Sequence, residues 1–422
     1  RVGSNFPHMA FLTSGAMLQL HLSVLAALLL PLARADLSVL AIGDWGGGSD
    51  EEPSTESQRL TAMGMLHRAQ EHSPNFTLLM GDNFYQHGIH ECAEQTTRFQ
   101  TTFEDVYTSL LPNQPFYVMG GNHDYGEGRL ANISAQLEYS QISKHWQYPS
   151  LWYKIRREFS AGNQTRVLEV IVLDTVVLCG NGPENEAFVD EQLRAVGWKA
   201  GRREEGPGDL RRALAEEQWA WLEAEMRASS ADFLWVTGHY PIWSAGIDGS
   251  SPCLIQRLRP MLSEHGAHYI SGHDHMLEHF EYNGLNTFVV GAGKECCYPV
   301  VNLRTTPPGA LRYMLAGRHG SRSRPRVPFP VRGGFASLRF GAESVAIQLH
   351  SDNGTVLYEA PPIPRRGSFT VAVKAVEVDS LQEKAVLALP VLFVVLFVLA
   401  AFPLFRGRCG KRQQSATQPL LA

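Results

Sequence analysis

"FTLLMGDNFYQHG", residues 76–88, places a carboxylate and a phenol directly behind a strand-like apolar run. The apolar run ends at Gly81, Asp82 follows at once, and Tyr85 lies three positions further on. Glycine permits a sharp turn and close backbone approach, which brings the next residue over the carboxyl edge of the strand, where α/β sheets hold their ligands. The stretch therefore predicts a buried strand that ends at a functional site.

The step from an apolar run to glycine and then to a metal-binding side chain occurs five times. Its members are Gly43-Asp44 in "LAIGDW", Gly81-Asp82 in "LLMGDNFY", Gly121-Asn122-His123 in "YVMGGNHD", Gly238-His239 in "WVTGHY" and Gly272-His273 in "YISGHDH". A single Asp, Asn or His after a strand is usually a turn residue, a helix cap or an ordinary surface or core residue. Five correlated steps instead favour convergence on one site.

These donors suit two metal ions better than one. His273 and His275 are two positions apart, so in an extended chain they project to the same side roughly 6.6 Å apart, a suitable spacing for neighbouring ions. The carboxylate of Asp82 is able to bridge two cations. The set contains Asp, Asn, His and Tyr but no thiolate, which disfavours a structural zinc or iron–sulfur site.

Composition and patterning indicate a large globular α/β protein. The 422 residues are 44% hydrophobic and 19% charged, enough for one big domain or two ordinary ones. The net charge of -5 is small, so we expect no nucleic-acid partner and no binding through bulk charge.

Apolar runs alternate with amphipathic stretches, as in layered α/β domains. We expect strands at 37–42, 76–80, 115–119, 167–173, 233–237, 269–270 and 287–290, helices at 55–71, 96–110, 214–228 and 254–265, a β-meander over 335–359, and loops at 181–212 and 305–334.

Both ends of the chain carry apolar segments that fall outside this pattern. Residues 17–35 end in Ala33-Arg34-Ala35, the small-x-small pattern of a signal-peptide cleavage site, so Asp36 is the expected first mature residue. Residues 385–405 are 21 residues without a charge, which is enough to cross a bilayer as a helix. Arg406 and Arg408 follow this run, which places the end of the chain in the cytosol. A lipid-anchor signal is the alternative, but it would end in its apolar tail, whereas 17 further residues follow here.

These segments predict a type I single-pass membrane protein of the secretory pathway, with its main domain in the extracellular space or the lysosomal lumen. The expected divisions are an N-terminal extension and signal peptide at 1–35, the catalytic domain at 36–360, a stalk at 361–384, a transmembrane helix at 385–405 and a cytosolic tail at 406–422.

Glycosylation motifs and cysteines agree with an oxidising compartment. Four Asn-x-Ser/Thr motifs predict glycosylation at Asn75, Asn132, Asn163 and Asn353. Five of the six cysteines precede the apolar C-terminal segment, so at least one of them is expected to be unpaired or to pair between chains. Adjacent cysteines rarely pair with each other, which leaves Cys296 and Cys297 without an assigned partner.

The motifs resemble those of the metallophosphoesterase superfamily, in the form that includes the tyrosine, and the chain is similar to a purple acid phosphatase of the small animal tartrate-resistant type. The stretches that carry the resemblance are "AIGDWGG", "GDNFY", "RFQTTFEDVY", "GNHDY", "ISKHWQYPSLWY", "LDTVVLCGN", "GHYPIWS" and "SGHDH". The resemblance covers about residues 36–355 and implies an α/β fold, a layered αββα sandwich. It does not extend to the apolar C-terminal segment.

The resemblance also implies the ligands of two metal ions in each subunit. Iron(III) is expected on Asp44, Tyr85, His275 and the bridging Asp82. A divalent ion, iron(II), zinc or manganese, is expected on Asp82, Asn122, His239 and His273. Carboxylates and a phenolate are hard anionic ligands that favour a trivalent ion.

Further residues are expected at the substrate. His123, next to the ligand Asn122, is the candidate for orienting the phosphate and protonating the leaving alkoxide. Animal relatives carry a histidine in the loop after GHYP, whereas this chain has Asp248 at the matching position. A carboxylate there would donate a proton in acid and would repel phosphate when ionised. The alternative is that Asp248 merely caps the turn "IDGS".

The resemblance further implies a disulfide between Cys179 and Cys253 and a repressive surface loop. Residues 181–212 take the place of that loop, and their arginines offer sites for a processing protease.

These features predict an acid phosphatase that hydrolyses phosphate monoesters, either phosphorylated small molecules or phosphoproteins, with a dinuclear centre and a metal-bound hydroxide. Two alternatives stay open, a related dimetal phosphoesterase acting on nucleotides or diesters, and a non-catalytic surface receptor on the same scaffold.

Overall fold

The computed structural model describes residues 36–126, 131–199, 206–315 and 330–367. The predicted signal peptide, the transmembrane helix, the cytosolic tail and the stalk beyond residue 367 lie outside these ranges. Within the described ranges, no helix combines the length and the apolar composition that crossing a membrane requires.

The described residues form two β-sheets flanked by helices. The strands are β1 (Leu37–Ile42), β2 (Phe76–Met80), β3 (Phe116–Met119), β4 (Trp146–Gln147), β5 (Tyr153–Ala161), β6 (Gln164–Val172), β7 (Phe233–Gly238), β8 (His268–Ser271), β9 (Leu277–Tyr282), β10 (Leu285–Val290), β11 (Leu311–Leu315), β12 (Gly334–Phe340), β13 (Ser344–Ser351), β14 (Val356–Glu359) and β15 (Ile363–Pro364). The α-helices are α1 (Glu56–His72), α2 (Ile133–Tyr139), α3 (Thr175–Cys179), α4 (Glu186–Ala195), α5 (Asp209–Ala228), α6 (Pro252–Gln256) and α7 (Leu258–His265). A π-helix covers Phe99–Thr108, and short 3-10 turns cover His123–Tyr125, Pro183–Asn185 and Leu303–Thr305.

Both sheets are mixed, with parallel strands at their centres. The first sheet has the order β14-β13-β12-β1-β2-β3-β4, and β15 pairs with β13. Strands β1 to β4 are parallel, whereas β12 is antiparallel to β1. The second sheet has the order β11-β9-β10-β8-β7-β6-β5, with β6, β7, β8 and β10 parallel. The predicted α/β class and two-sheet architecture are therefore confirmed.

Alternation along the strands places a hydrophobic core on each face of a sheet. In β1, Val39 and Ala41 belong to a core that joins residues of both sheets, whereas Leu40 and Ile42 belong to a core shared with the helices. Trp235 of the second sheet lies in the same inter-sheet core as Val39. Because successive side chains point to opposite faces, one strand supplies both cores. This burial on both faces explains why the central strands are largely apolar.

Several predicted boundaries change in the structure. The expected helix at 254–265 is divided into α6 and α7, and the helix expected at 96–110 is wound as the π-helix. The prediction of a loop over 181–212 is wrong for Glu186–Ala195, which is helical because Val189 and Leu193 are completely buried in the core shared with the helices. The expected loop at 305–334 likewise contains β11.

The folded unit extends beyond residue 360. Ile363 pairs with Val345 through β15 and is 3% exposed, and the backbone N–H of Arg366 donates to the carbonyl of Asp232 at 2.7 Å. Residues 361–367, which the sequence assigned to the stalk, therefore pack against the domain.

The cysteine pairs are partly as expected. Cys179 and Cys253 form the predicted disulfide. Cys296 and Cys297, to which the sequence assigned no partner, are paired with each other. Their segment is held at both ends, because the N–H of Lys294 donates to Asp44 and the N–H of Tyr298 donates to His275.

Loops at the carboxyl ends of the central strands connect the two sheets. The N–H of Gly43, after β1, donates to the carbonyl of Val290 in β10 at 2.9 Å. The N–H of Gly293, in the loop after β10, donates a hydrogen bond to the carbonyl of Gly43 at 3.0 Å. These bonds fix how the loop after β1 lies against the loop after β10, so side chains from both sheets meet in a defined arrangement.

Candidate metal centre

The predicted donors lie at the carboxyl ends of strands from both sheets. Asp44 and Asp82 follow β1 and β2, and Asn122 follows β3 in the first sheet. His239 follows β7 and His273 follows β8 in the second sheet. Four of these five residues are buried, with Asp44 and His239 completely so. The fifth, His273, is half-buried. The structure thus brings Asp44 and His273, which are 229 positions apart in sequence, into hydrogen-bond contact.

One group of donors surrounds the hydroxyl of Tyr85. The distances from this oxygen are 3.1 Å to Asp44 Oδ1, 2.8 Å to Asp82 Oδ2 and 3.0 Å to His275 Nε2. The imidazole of His275 also lies 3.6 Å from Asp44 Oδ1. Two carboxylates, one phenol and one imidazole therefore converge, a donor set rich in hard oxygen ligands.

A second group surrounds Nε2 of His239. This nitrogen lies 3.3 Å from Asp82 Oδ1, 2.9 Å from Asn122 Oδ1 and 3.3 Å from His273 Nδ1. The group contains more nitrogen and less charge than the group around Tyr85. His273 presents Nδ1 to the site, whereas His239 presents Nε2, a distinction that the sequence does not contain.

Asp82 belongs to both groups. Its Oδ2 faces Tyr85 and its Oδ1 faces His239. Atoms of Asp44, Asp82 and His239 also lie within 4.8 Å of one another in an arrangement able to hold a metal ion. The two oxygens of one carboxylate therefore face separate sets of donors, as a bridging ligand requires.

Close backbone approach at this centre depends on two glycines. A Cβ on Gly81 would lie 2.6 Å from His239 Nδ1, and Gly81 itself has a φ of +85°. A Cβ on Gly272 would lie 2.5 Å from Asp44 Oδ2. Real Cβ atoms do not approach so closely, so both positions require glycine. Asp44 and Asp82 themselves adopt positive φ values of 57° and 52°, a strained conformation that clusters at functional sites.

Outer contacts orient the imidazoles. The Nδ1–H of His239 donates to the carbonyl of Met80 at 2.8 Å, which leaves Nε2 for the site. The Nδ1–H of His275 donates to Glu295 Oε1 at 2.8 Å, and the ring of Tyr298 stacks on His275 with centroids 4.3 Å apart. Such partners fix the tautomer and the ring orientation of metal-binding histidines.

The pKa values of these groups follow from burial and close opposite charges. Burial alone would raise the pKa of Asp82, but the imidazoles of His239, His123 and His273 outweigh it and hold that pKa well below its usual range. Burial lowers the pKa of His239, and the carboxylates of Asp82 and Asp44 outweigh it and raise the pKa to about 10. Burial and the same two carboxylates raise the pKa of Tyr85 well above its usual range. Cation binding would displace the protons of His239 and Tyr85, since metal ligands bind in their deprotonated forms.

His123 lies beside this centre. Its ring centroid is 4.4 Å from that of Tyr85, and its Nε2 is 3.8 Å from Asp82 Oδ2. Its Nδ1–H donates to the carbonyl of Gln86 at 2.6 Å, so Nε2 is the nitrogen directed to the site. With 16% of its side chain exposed, His123 is accessible from the solvent side.

Asp248 lies further out, at the surface of a cleft that also contacts His273. The cleft has a volume of about 370 Å³ and is lined by Tyr240 and by the Cys179–Cys253 disulfide as well. Desolvation on the inner side of Asp248 and the carboxylate of Asp274 raise its pKa to about 6. The structure therefore places Asp248 at the rim of this cleft and not among the seven donors.

Four residues at the site were missed by sequence reasoning. Asp124 accepts from the N–H of Gly121 at 2.8 Å and joins the loops after β2 and β3 through Asn83. The other three are Asp274, Lys294 and Glu295. Asp124 and Asp274 stand inside the quoted motifs, and "VVGAGKE" repeats the step from strand to glycine to polar residue, so the pattern itself contained the signal.

Comparisons with known proteins agree with this geometry. Residues 37–277 match the calcineurin-like phosphoesterase family. Tartrate-resistant acid phosphatase type 5 of Rattus norvegicus is 35% identical over 81% of this chain and 96% of its own length. The enzyme of the same name from Homo sapiens is 34% identical over 82% and 97%. Purple acid phosphatase 17 of Arabidopsis thaliana is 26% identical over 78% and 85%.

A solved structure shares the fold. GAP50, the anchor in the inner membrane complex of Plasmodium, superimposes with a TM-score of 0.60 at 21% identity, over 78% of this chain and 89% of that protein. This likeness concerns the arrangement of the sheets and helices.

Proposed function

The chain belongs to the calcineurin-like phosphoesterase family and, within it, to the purple acid phosphatases, and from this premise we propose how its residues divide the chemistry. The protein is an acid phosphatase, a phosphoric monoester hydrolase with a dimetal centre. The observation that carries the proposal is the position of Asp82, whose two oxygens face Tyr85 and His239 respectively.

We assign iron(III) to the group around Tyr85, with Asp44, Asp82 and His275 as its other ligands. The assignment is supported by the two carboxylates and the phenol, hard donors that favour the higher charge. A divalent ion, iron(II), zinc or manganese, is assigned to Asp82, Asn122, His239 and His273, where more of the donors are neutral. When bound, such a pair supplies an activated hydroxide and neutralises charge on the phosphate.

His123 completes the proposed chemistry as the proton donor. Its Nδ1–H donates to the carbonyl of Gln86, so the protonated imidazole would deliver its second proton, on Nε2, to the leaving oxygen of a substrate. General acids contribute about 10² to 10⁴ in rate, and a loss of that order in kcat is expected for His123→Asn. Asp248 is proposed to contact the leaving group, since it lines the adjoining cleft.

The experiment that tests the proposal combines turnover, metal content and colour. The full-length protein should hydrolyse 4-nitrophenyl phosphate in acid, contain two metal ions per chain and absorb visible light through phenolate-to-iron charge transfer. Tyr85→Phe should abolish that absorption, whereas Tyr282→Phe, at a residue 37% exposed on the surface, should retain it. A Tyr85→Phe protein that keeps its colour would contradict the iron assignment.

We further propose that the protein enters the secretory pathway and is a type I membrane protein anchored by residues 385–405. Asn75, Asn163 and Asn353 are exposed, in keeping with glycosylation, whereas the amide of Asn132 is engaged by the carbonyl of Glu91 at 3.1 Å. Glycosidase treatment should lower the apparent mass of the full chain made in animal cells. N-terminal sequencing should begin at Asp36, and a tag on the tail should be cleaved by protease only after the membranes are permeabilised.

Cleavage by a processing protease remains part of the proposal. Asn181, at the start of the 181–212 segment, donates from Nδ2 to the carbonyl of Asn122 at 3.1 Å, so this segment contacts the backbone of a proposed ligand. Cuts between α4 and α5 would loosen the segment that carries this contact, and we expect kcat to rise. Unchanged turnover after complete, verified cleavage would rule this regulation out.

A further inference from the structure

The cleft beside His273 has an unusual charge for a site that receives phosphate esters. Its lining includes the carboxylate of Asp248 and the ring of Tyr240 but, among the described residues, neither lysine nor arginine. A leaving group with further negative charge, such as a nucleotide, would find no cationic partner there. The lining instead includes two groups that attract a cation, the carboxylate of Asp248 and the ring of Tyr240.

The aromatic wall is close to the proposed metal ligands. The ring centroid of Tyr240 lies 4.6 Å from that of His273, and Tyr240 is 9% exposed. Its hydroxyl donates to the carbonyl of Gly180 at 3.1 Å, which fixes the ring. A cation over a tyrosine face gains about 0.5–1 kcal/mol at an exposed site. The ring of Tyr240 therefore lies next to a proposed metal ligand and lines the same cleft.

The turn that carries Asp248 is held in place from two sides. Asp274, completely buried, accepts at 3.0 Å from the N–H groups of Asp248 and Gly249. From the other side, Asn302 donates from Nδ2 to the carbonyls of Gly246 at 2.8 Å and Ile247 at 3.0 Å. These contacts restrain the turn, so its exposed carboxylate keeps a defined place at the rim of the cleft.

The Asp248 carboxylate itself is available to a ligand. Only its backbone N–H takes part in the hydrogen bond to Asp274, and no described residue forms an ion pair with its side chain. A fixed, unpaired carboxylate and a fixed aromatic face in one cleft form the usual recognition pair for an ammonium group.

We propose that this cleft selects phosphate monoesters whose leaving group carries an ammonium group, such as an aminoalkyl or choline-type alcohol. The inference rests on the proposed function and specifies its substrate class. The phosphate occupies the metal centre, the ammonium group lies between Tyr240 and Asp248, and the hydrolysis releases a cationic alcohol.

The test compares two substrates of the same shape, phosphocholine and 3,3-dimethylbutyl phosphate, in which carbon replaces the charged nitrogen, with the full-length protein at pH 7. We expect kcat/KM to favour phosphocholine by about tenfold, which corresponds to about 1.4 kcal/mol. The preference should weaken as ionic strength rises, because salt screens exposed charges. Asp248→Asn should reduce the ratio towards one, and Glu264→Gln, an exposed carboxylate on α7, is the matched control.

A second pair of variants separates the ring from the carboxylate. Tyr240→Phe retains an aromatic face and should keep most of the preference, whereas Tyr240→Leu should lower it by about threefold. Equal kcat/KM for the two substrates, or an unchanged ratio in Asp248→Asn, would overturn the inference while hydrolysis of both still supports the phosphatase. Absence of turnover on every monoester would overturn the proposed function together with it.

Discussion

The ammonium of Lys294 lies over the ring of Tyr85, with Nζ 3.6 Å from the ring centroid. Lys294 is 8% exposed, and its backbone N–H donates to the carbonyl of Asp44 at 2.9 Å. The lysine is therefore anchored to one proposed ligand by its backbone and covers another with its side chain. A cation against a ring face stabilises the electrons of that ring.

Removing this charge should change the colour of the iron-loaded protein. In Lys294→Met the nearby cation is lost, and the energy of the phenolate electrons of Tyr85 rises. The energy gap to iron(III) becomes smaller, so the charge-transfer band should move to longer wavelength. Lys294→Arg keeps a cation at the ring and should leave the band nearly in place. The visible spectrum at matched metal content provides the measurement, and an identical band in Lys294→Met would show that the lysine does not influence Tyr85.

Metal affinity should depend on Glu295. This carboxylate accepts from Nδ1–H of His275 at 2.8 Å, and loss of such outer partners typically weakens metal binding 10–100-fold. Glu295→Gln preserves the shape but removes the charge, so about tenfold weaker binding at the Tyr85 group is expected in competition with a chelator. Glu264→Gln again serves as the control, and equal affinity in the two variants would exclude a role for Glu295.

The disulfide between Cys179 and Cys253 should contribute substantially to stability. It closes a sequence separation of 74 residues, for which the loss of chain entropy in the unfolded state predicts about 4 kcal/mol. Cys179→Ser with Cys253→Ser should therefore lower the free energy of unfolding by that order in denaturant titrations of the oxidised protein. Because both residues line the cleft next to Asp248, KM should also rise. A variant with unaltered stability would contradict this estimate.

Two buried histidines should make the fold less stable in acid. Desolvation lowers the pKa of His279 to about 4 and that of His350 to about 3, whereas an unfolded histidine titrates near 6.5. As the pH falls below about 6.5 the unfolded chain takes up protons that the folded protein does not. Stability is thus fully present above pH 6.5 and is lost towards pH 4, by about 1.4 kcal/mol per pH unit for each group.

The variant His279→Phe tests this linkage. It keeps a ring to stack on Phe288, whose centroid lies 4.2 Å from that of His279, but it removes one titrating group. The free energy of unfolding should be lower at pH 7, because the hydrogen bonds to Asn286 and Tyr358 are lost. Between pH 6 and pH 4, however, the free energy of unfolding of His279→Phe should fall less steeply than that of the unchanged protein. His67→Gln, at an exposed position, should keep the original slope.

Local patterns predicted the central part of the fold well and its periphery less well. Strands such as β1 and β2 are buried on both faces and are largely apolar, so their sequence identifies them. Helix α4 does not stand out, because its residues are charged around the few that are buried, Val189 and Leu193. Such a short helix depends on packing against the rest of the domain more than on its own propensity.

The sequence by itself determined which side chains are able to bind metal and where along the chain they occur. A strand, a glycine and a donor are consecutive residues, so their order is visible without a structure. Only the tertiary structure decided that the two oxygens of Asp82 face different groups, that His273 presents Nδ1, and that Lys294 covers Tyr85. These relationships depend on how two sheets are joined by backbone hydrogen bonds such as that from Gly43 to Val290, and distances between residues far apart in sequence are set by that packing alone.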